Sequence, residues 1–239
     1  MTIEFGTSRP VWMIVSDVDG TLLGDDHELA ELLSALVERI DVVLIPNSSR
    51  PIRSLSDSWR RVGIDPFPAQ VGALGTEVEL DGSATDWSQR FAEFDRRPID
   101  RKLTGLGFHT NGTEFQSALK ASYSIPRDRW EEATAAIDQI VPALVVTSGE
   151  ADFDVIPIGA GKPAPLGYLR DHFDVSPERM VAAGDSMNDL SMLLAVTNRI
   201  VVGNAEPALF DATAGRAFHS RREFAAGLRE GLVGLGVLP

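Results

Sequence analysis

The chain has no cysteine, which excludes a disulfide framework, a thiol nucleophile and any zinc–thiolate site. It also lacks an apolar run near the roughly 20 residues that cross a bilayer. Its N-terminal MTIEFGTSRP has no charged segment leading into an apolar one, as a secretory leader would. The expectation is a cytoplasmic protein with no membrane partner. Basic residues are few: 22 Lys plus Arg against 35 Asp plus Glu leave a formal charge of −13, which argues against a nucleic-acid partner or an anionic-membrane surface. An anionic substrate then needs a local positive site. There is no internal repeat or low-complexity tract. What is present is 44 % hydrophobic and 24 % charged residues in 239 positions, an ordinary folded composition long enough for one large domain or two modest ones.

Apolar β-rich runs recur at Trp12–Val15, Val42–Ile45, Met180–Ala183 and Ile200–Val202, with helical spacing between them at Leu29–Ile40 and Leu190–Val196. Unbroken apolar runs alternating with helices indicate a parallel sheet covered on both faces, an α/β layered fold. Pro51 and the Asp65-Pro66 pair bracket a further helix over Ile52–Val62. The middle third differs. It reads as a helix over Gln89–Leu103, a loop over Gly105–Gly112, an extended Phe115–Ile125, a helix over Arg127–Val141 and β runs at Ala143–Thr147 and Phe153–Ile158. The simplest account is a small α+β insert between core strand 3 and the segment that opens at Lys162. Residues 83–158 form it, and 1–82 with 159–239 form the core.

The run VWMIVSDVDGT ends in Asp17 and Asp19, one residue apart. If the strand continued, both carboxylates would face one side, and Gly20 permits a tight turn directly after. A second acidic pair, Asp185 and Asp189, follows the strand Met180–Ala183 and the turn at Gly184. Either pair taken alone is equally a helix cap. Two pairs at strand ends of one parallel sheet, where ligands sit, point to a shared cation. Oxygen ligands without His or Cys suit Mg2+.

Ser48 follows the strand Val42–Ile45 beside a helix start able to offer backbone N–H groups to an anion. Lys162 lies in GAGKPAP. That string is no phosphate-binding P-loop, because Ile156 stands where glycine is required and Pro163 where Ser or Thr is required. Alone, Lys162 reads as a solvated lysine and Ser48 as a cap; together with the acidic pairs they supply a positive and a donor group.

In this order DVDGT (17–21), Ser48, Lys162 and GDSMND (184–189) resemble the four motifs of haloacid dehalogenase superfamily phosphatases. More narrowly, VSDVDGTLLGD, VGALGTEV, LKASY, TSGEADFDVIP, GKPAPLGYL, AAGDSMNDLSML and NAEP are similar to the sucrose-phosphate phosphatase group, across nearly the whole chain. The sequence departs from that group at Gly20, where Asn is frequent, at Ser48-Ser49-Arg50 in place of Thr-Gly-Arg, at Ser124 in place of histidine and at Glu150 in place of lysine. These departures bear on the sugar, not on the core chemistry.

The resemblance implies a Rossmann-like parallel-sheet core with helices on both faces and a smaller α+β cap that reads the leaving group. It implies a Mg2+-dependent phosphate-monoester hydrolase acting through an aspartyl-phosphate. Asp17 is then the nucleophile and Asp19 the general acid and base, its backbone carbonyl a metal ligand beside Asp17, Asp185 and Asp189. Ser48 and Lys162 hold phosphoryl oxygens, while Ser49, Arg50 and Asn188 add core-side substrate contacts. Lys120 and Tyr123, with Glu150, Asp152 and Asp154, offer sugar contacts from the cap. The implied substrate is a phosphorylated sugar: sucrose 6-phosphate, a relative such as mannosylfructose phosphate, or a smaller ester. A sugar phosphomutase and a non-catalytic sugar-phosphate sensor are the alternatives.

Overall fold

The computed structural model describes residues 10–61 and 67–239. Along the chain run β1 (Trp12–Ser16), α1 (Asp26–Val37), β2 (Val42–Pro46), α2 (Ile52–Arg61), β3 (Ala69–Gly72), β4 (Glu77–Leu80) and β5 (Ser83–Ala84). Next come α3 (Arg97–Gly105), β6 (His109–Thr110), β7 (Ala121–Ser124), α4 (Trp130–Asp138), β8 (Ala143–Ser148) and β9 (Asp152–Pro157). Then follow α5 (Leu166–Phe173), β10 (Met180–Gly184), α6 (Leu190–Leu194), β11 (Asn198–Val201), α7 (Pro207–Thr213), β12 (Phe218–His219) and α8 (Phe224–Gly234).

The core sheet has the order β12-β11-β10-β1-β2, and its pairings are parallel. Every residue of β1, β2 and β10 is buried, because alternate side chains enter two separate cores. Trp12 and Ile14 pack with Leu29 and Leu33 of α1 and Leu228 of α8. Met13 and Val15 pack on the other face with Leu169 of α5, Leu193 of α6 and Leu209 of α7. This is the Rossmann-like α/β arrangement, with strands where the unbroken apolar runs put them. The chain moves outward from β1 to β2, then returns to β10 on the other side of β1 before moving out to β11 and β12. That reversal leaves a crevice at the carboxyl ends of β1 and β10. Among the described residues no helix is long and apolar enough to cross a membrane.

β6, β7, β9 and β8 form a separate antiparallel sheet in that order. Its own cluster unites Ile99 and Leu103 of α3, Ile137 of α4, and Tyr123 and Phe153 of the sheet. The insert is therefore a smaller α+β unit.

Its local structure departs from the sequence reading in several places. The stretch expected to be one helix over Gln89–Leu103 is two elements. A 3-10 turn, Asp86–Phe91, buries Trp87 and Phe91 in the core cluster, and the Trp87 indole donates to Gly75 O at 2.9 Å. α3 starts only at Arg97, because Pro98 has no N–H to give and fits only a first turn, where Asp95 accepts the Arg97 N–H at 3.0 Å. The expected loop over Gly105–Gly112 contains β6, too short for a period to show. Of the extended Phe115–Ile125, only Ala121–Ser124 is a strand. Before it the side chains of Arg96 and Gln116 serve the backbone instead: Arg96 donates to Ser117 O at 2.8 Å and Lys120 O at 2.6 Å, and Gln116 to Ser122 O at 2.7 Å. α4 is shorter than Arg127–Val141, since a 3-10 turn occupies Arg127–Arg129. α1 begins before Leu29 because Asp25 caps it, accepting from the His27 and Glu28 N–H groups. Val62 and the Asp65-Pro66 pair lie outside the described residues.

The insert rejoins the core against a left-handed turn. Gly161 N–H donates to Leu74 O at 2.8 Å. Gly75 has φ 77°, and a Cβ there would come 2.1 Å from Gly161 O. Gly75→Ala thus pairs an unfavourable φ with a backbone clash just before Lys162. The expected loss is about 1–3 kcal/mol of stability, read as a lower urea midpoint at unchanged m-value; an unchanged midpoint would show that the Gly161 segment yields freely.

Candidate active site

β1 carries Asp17 into the crevice. The Asp17 N–H extends the ladder to Ala183 O at 2.9 Å, and the chain then turns, with Val18 O accepting the Leu22 and Leu23 N–H groups at 3.0 and 2.8 Å. The strand does not continue through Asp19, so the two carboxylates do not share a strand face. Asp17 is buried, whereas the Asp19 side chain is 55 % exposed at the mouth. Gly20 has φ 89°, and a Cβ on it would lie 2.3 Å from Asp185 Oδ2. The glycine lets the turn close directly onto the second acidic pair.

β10 carries that pair. Ser186 and Asp189 form a reciprocal cap, and Asp189 Oδ2 accepts the Asp185 and Ser186 N–H groups at 3.0 and 3.1 Å. The helix-cap and site readings of this segment therefore coexist in one residue. Asp185 Oδ1 accepts the Thr21 hydroxyl at 3.0 Å, which ties the end of β10 back to the loop after β1.

Lys162 joins the two ends. Its side chain is 1 % exposed, and its ammonium donates to Asp17 Oδ1 at 2.6 Å, to Asn188 Oδ1 at 2.8 Å and to Asp189 Oδ1. Asn47 on β2's end fixes the lysine from behind, donating to Lys162 O at 2.9 Å. One cation thus faces Asp17 and Asp189, with Asp185 close by. Burial pushes the Asp17 carboxyl up to about 7, against the pull of Lys162 and with the charge of Asp185 adding to it. Burial and the Asp189 charge raise Asp185 to about 6. Burial and the Asp17 charge raise Asp189 to about 6, again against Lys162. Burial alone would lower Lys162, but Asp17 and Asp189 outweigh it and hold the ammonium charged. Asp17, Asp185 and Asp189 each offer an oxygen within 4.8 Å of the others. An all-oxygen set carrying more negative charge than its lysine offsets fits a hard divalent cation.

The remaining candidates are spread around this centre. Ser48 is buried at the next strand end, its Oγ accepting the Arg50 N–H at 3.0 Å. The Arg50 guanidinium lies against Asp19, Nε to Oδ2 at 2.8 Å. From the insert, buried Lys120 donates to Ser49 O at 2.9 Å and pairs with Asp154 at 3.1 Å. Glu150 lies exposed in the turn between β8 and β9 and joins none of these contacts. Sequence reasoning gave no role to Thr21, Asn47, Asn204 or Glu206. Asn204 donates to Gly20 O at 2.7 Å, and Glu206 N–H donates to Asp185 O at 2.7 Å. Thr21 and the NAEP stretch stood among the similar strings, and both make hydrogen bonds across the crevice.

Residues 10–234 match the family model of sucrose-6F-phosphate phosphohydrolase. The chain belongs to that family. Members of the sucrose-6F-phosphate phosphohydrolase family are phosphatases, and this chain is a phosphoric monoester hydrolase of the haloacid dehalogenase superfamily. It is similar to the mannosylfructose-phosphate phosphatase of Agrobacterium fabrum, 28 % identical over 250 residues, covering 97 % of this chain and 99 % of that one. An HMP-PP phosphatase of Yersinia pseudotuberculosis is 41 % identical over 237 residues, covering 81 % of this chain and 84 % of that one. The Synechocystis sucrose-phosphatase, solved in complex with sucrose and phosphate, shares the fold with a TM-score of 0.86 at 21 % identity, covering 95 % of this chain and 98 % of that one.

The raised acids set a pH dependence. The folded chain holds protons on Asp17, Asp185 and Asp189 that the unfolded chain has released, so their share of stability is full below about pH 4 and is lost as pH rises toward about 7. Metal-free protein in EDTA is expected to melt at a lower temperature at pH 7 than at pH 5. Asp185→Asn should flatten that slope, and a wild-type-like slope in this variant would contradict the cause given.

Proposed function

We propose that this chain hydrolyses a phosphorylated sugar, most simply a disaccharide phosphate such as sucrose 6-phosphate or mannosylfructose phosphate, in the cytoplasm. The observation that carries the reading is Lys162 held between Asp17 and Asp189 at the crevice between β1 and β10. Sucrose and mannosylfructose phosphate come from the family and from the Agrobacterium relative. Residues 83–158 act as the specificity cap, anchored on the core by Trp87 and Phe91. Lys120 and Glu150, with Asp152 and Asp154, are its sugar-reading groups.

A carboxylate oxygen of Asp17 attacks phosphorus and the P–O bond to the sugar breaks, its electron pair leaving with the sugar oxygen, which takes a proton from Asp19. Asp19 then takes a proton from water, whose oxygen displaces the Asp17 carboxylate and releases phosphate. Lys162 and Ser48 hold phosphoryl oxygens while charge shifts among them, and Ser49 and Asn188 complete the cradle, Asn188 also orienting the Lys162 ammonium. Asp17 and Asp185, with the Asp19 carbonyl, would hold Mg2+, which when bound offsets the repulsion between nucleophile and phosphate. Asp189 orders the others, since its oxygens already accept Lys162 and two backbone N–H groups.

Asp17→Asn is expected to lower phosphate release on the order of a thousandfold or more while leaving the circular-dichroism spectrum intact. Retained turnover would remove Asp17 as nucleophile. The substrate is identified by kcat/KM across sucrose 6-phosphate, mannosylfructose phosphate, hexose phosphates, glycerates, nucleotides and HMP-PP. A preference for nucleotides or HMP-PP would overturn the sugar assignment. Bisphosphorylated sugar without free phosphate would mark a mutase, and no turnover of any ester a sensor.

A further inference from the structure

Asp19 has the least support of any group in the proposed mechanism. Its carboxylate stands past the turn at Val18 with its side chain 55 % exposed, and a freely rotating carboxyl there spends its time in water. Arg50 meets it: its Nε lies 2.8 Å from Asp19 Oδ2, and its side chain is only 13 % exposed.

Arg50 is itself clamped from three sides. Its Nη1 donates to Ser58 Oγ at 2.9 Å, and Ser58 Oγ donates to Ser54 O at 3.3 Å, which ties the guanidinium to α2. Its N–H donates to Ser48 Oγ at 3.0 Å. Its C=O accepts the Ala73 N–H at 2.8 Å, while Leu74 N–H donates to Ser48 O at 3.1 Å. Ala73 and Leu74 do this from φ of 49° and 55°, a left-handed conformation that side-chain-bearing residues adopt only when surroundings over-determine it. The strained turn belongs to VGALGTEV, a stretch that the proposed mechanism leaves without a role.

The guanidinium has donors to spare. Nε and Nη2 are buried and neither makes a hydrogen bond, so the approach to Asp19 is an ion pair without an aligned N–H···O. A small rotation of the Asp19 carboxylate would give both nitrogens acceptors in a two-pronged fork.

We propose that Arg50 is a positioning residue for Asp19, not a direct substrate contact. It holds the carboxyl where the leaving oxygen will be, and it steadies the carboxylate left once the proton has gone. This rests on the phosphomonoesterase reading above. It predicts a dependence on the leaving group, because a basic alkoxide needs a proton as the P–O bond breaks and p-nitrophenolate does not. kcat/KM isolates that step, since it extends only to departure of the alcohol.

The test compares benzyl phosphate with p-nitrophenyl phosphate, esters of similar shape, on the Mg2+-loaded full chain. Arg50→Met is expected to cut kcat/KM for benzyl phosphate on the order of a hundredfold, at least tenfold more than for p-nitrophenyl phosphate. Arg50→Lys should recover part of the difference. In an Asp19→Asn background, Arg50→Met should add less than about threefold, because its effect passes through Asp19. Equal losses on the two esters, or fully additive losses in the double variant, would overturn the assignment and leave a merely structural arginine. If Arg50→Met fails to fold, the same ratio is read from Arg50→Lys. A wild type inactive on every ester defeats the phosphatase reading and this proposal with it, an outcome distinct from active wild type with equal losses.

Discussion

Lys162 keeps its ammonium in a place nearly closed to water, with Asp17 and Asp189 accepting from it and Asp185 close by. Burial alone would neutralise any of these groups; the pairing of Lys162 with Asp17 and Asp189 favours their charged forms, against the repulsion among the carboxylates. The lysine offsets only part of the negative charge, so the cluster retains affinity for protons or for a hard cation. Affinity for protons and affinity for a hard cation therefore arise from a single imbalance of charge.

The sheet sets that imbalance in place. β1 and β10 are adjacent because the chain reverses direction between them, and each ends in a carboxylate at the same edge. Cross-bonds then lock the two ends together: Thr21 to Asp185, Asn204 to Gly20, and Asn47 to Lys162 from β2. Gly20 leaves no gap between its turn and Asp185. The insert presses on the same edge, with Lys120 reaching Ser49 O beside the buried Ser48, and Arg53 of α2 holding Thr113 and Gln116 of the insert. The insert's contact at Ser49, the buried Ser48 and the ion pair of Arg50 with Asp19 thus share one loop, residues 48–50.

Much of this was legible beforehand. The strands at Trp12, Val42 and Met180 showed as apolar runs because both faces of a covered parallel sheet demand apolar side chains. Asp17, Lys162 and Asp189 were legible as motif positions. The insert was read less well. Its helix near Gln89 is broken between Phe91 and Arg97, its β6 is two residues long, and Arg96 and Gln116 replace a neighbouring strand as backbone partners. None of these has a period to detect. Asp19 and Asp17 were expected on one strand face, and they separate because Val18 O starts a turn.

From sequence alone came the element types of the core and the set of chemically able residues, since both follow from local hydrophobic period and from side-chain chemistry. Which of those residues touch was decided by the tertiary fold. The pairings of Lys162 with Asp17 and Asp189, of Arg50 with Asp19, and of Lys120 with Asp154 join positions far apart along the chain. No local preference encodes such a pair; it exists only once packing has set the distance and burial has removed the water that would otherwise screen it.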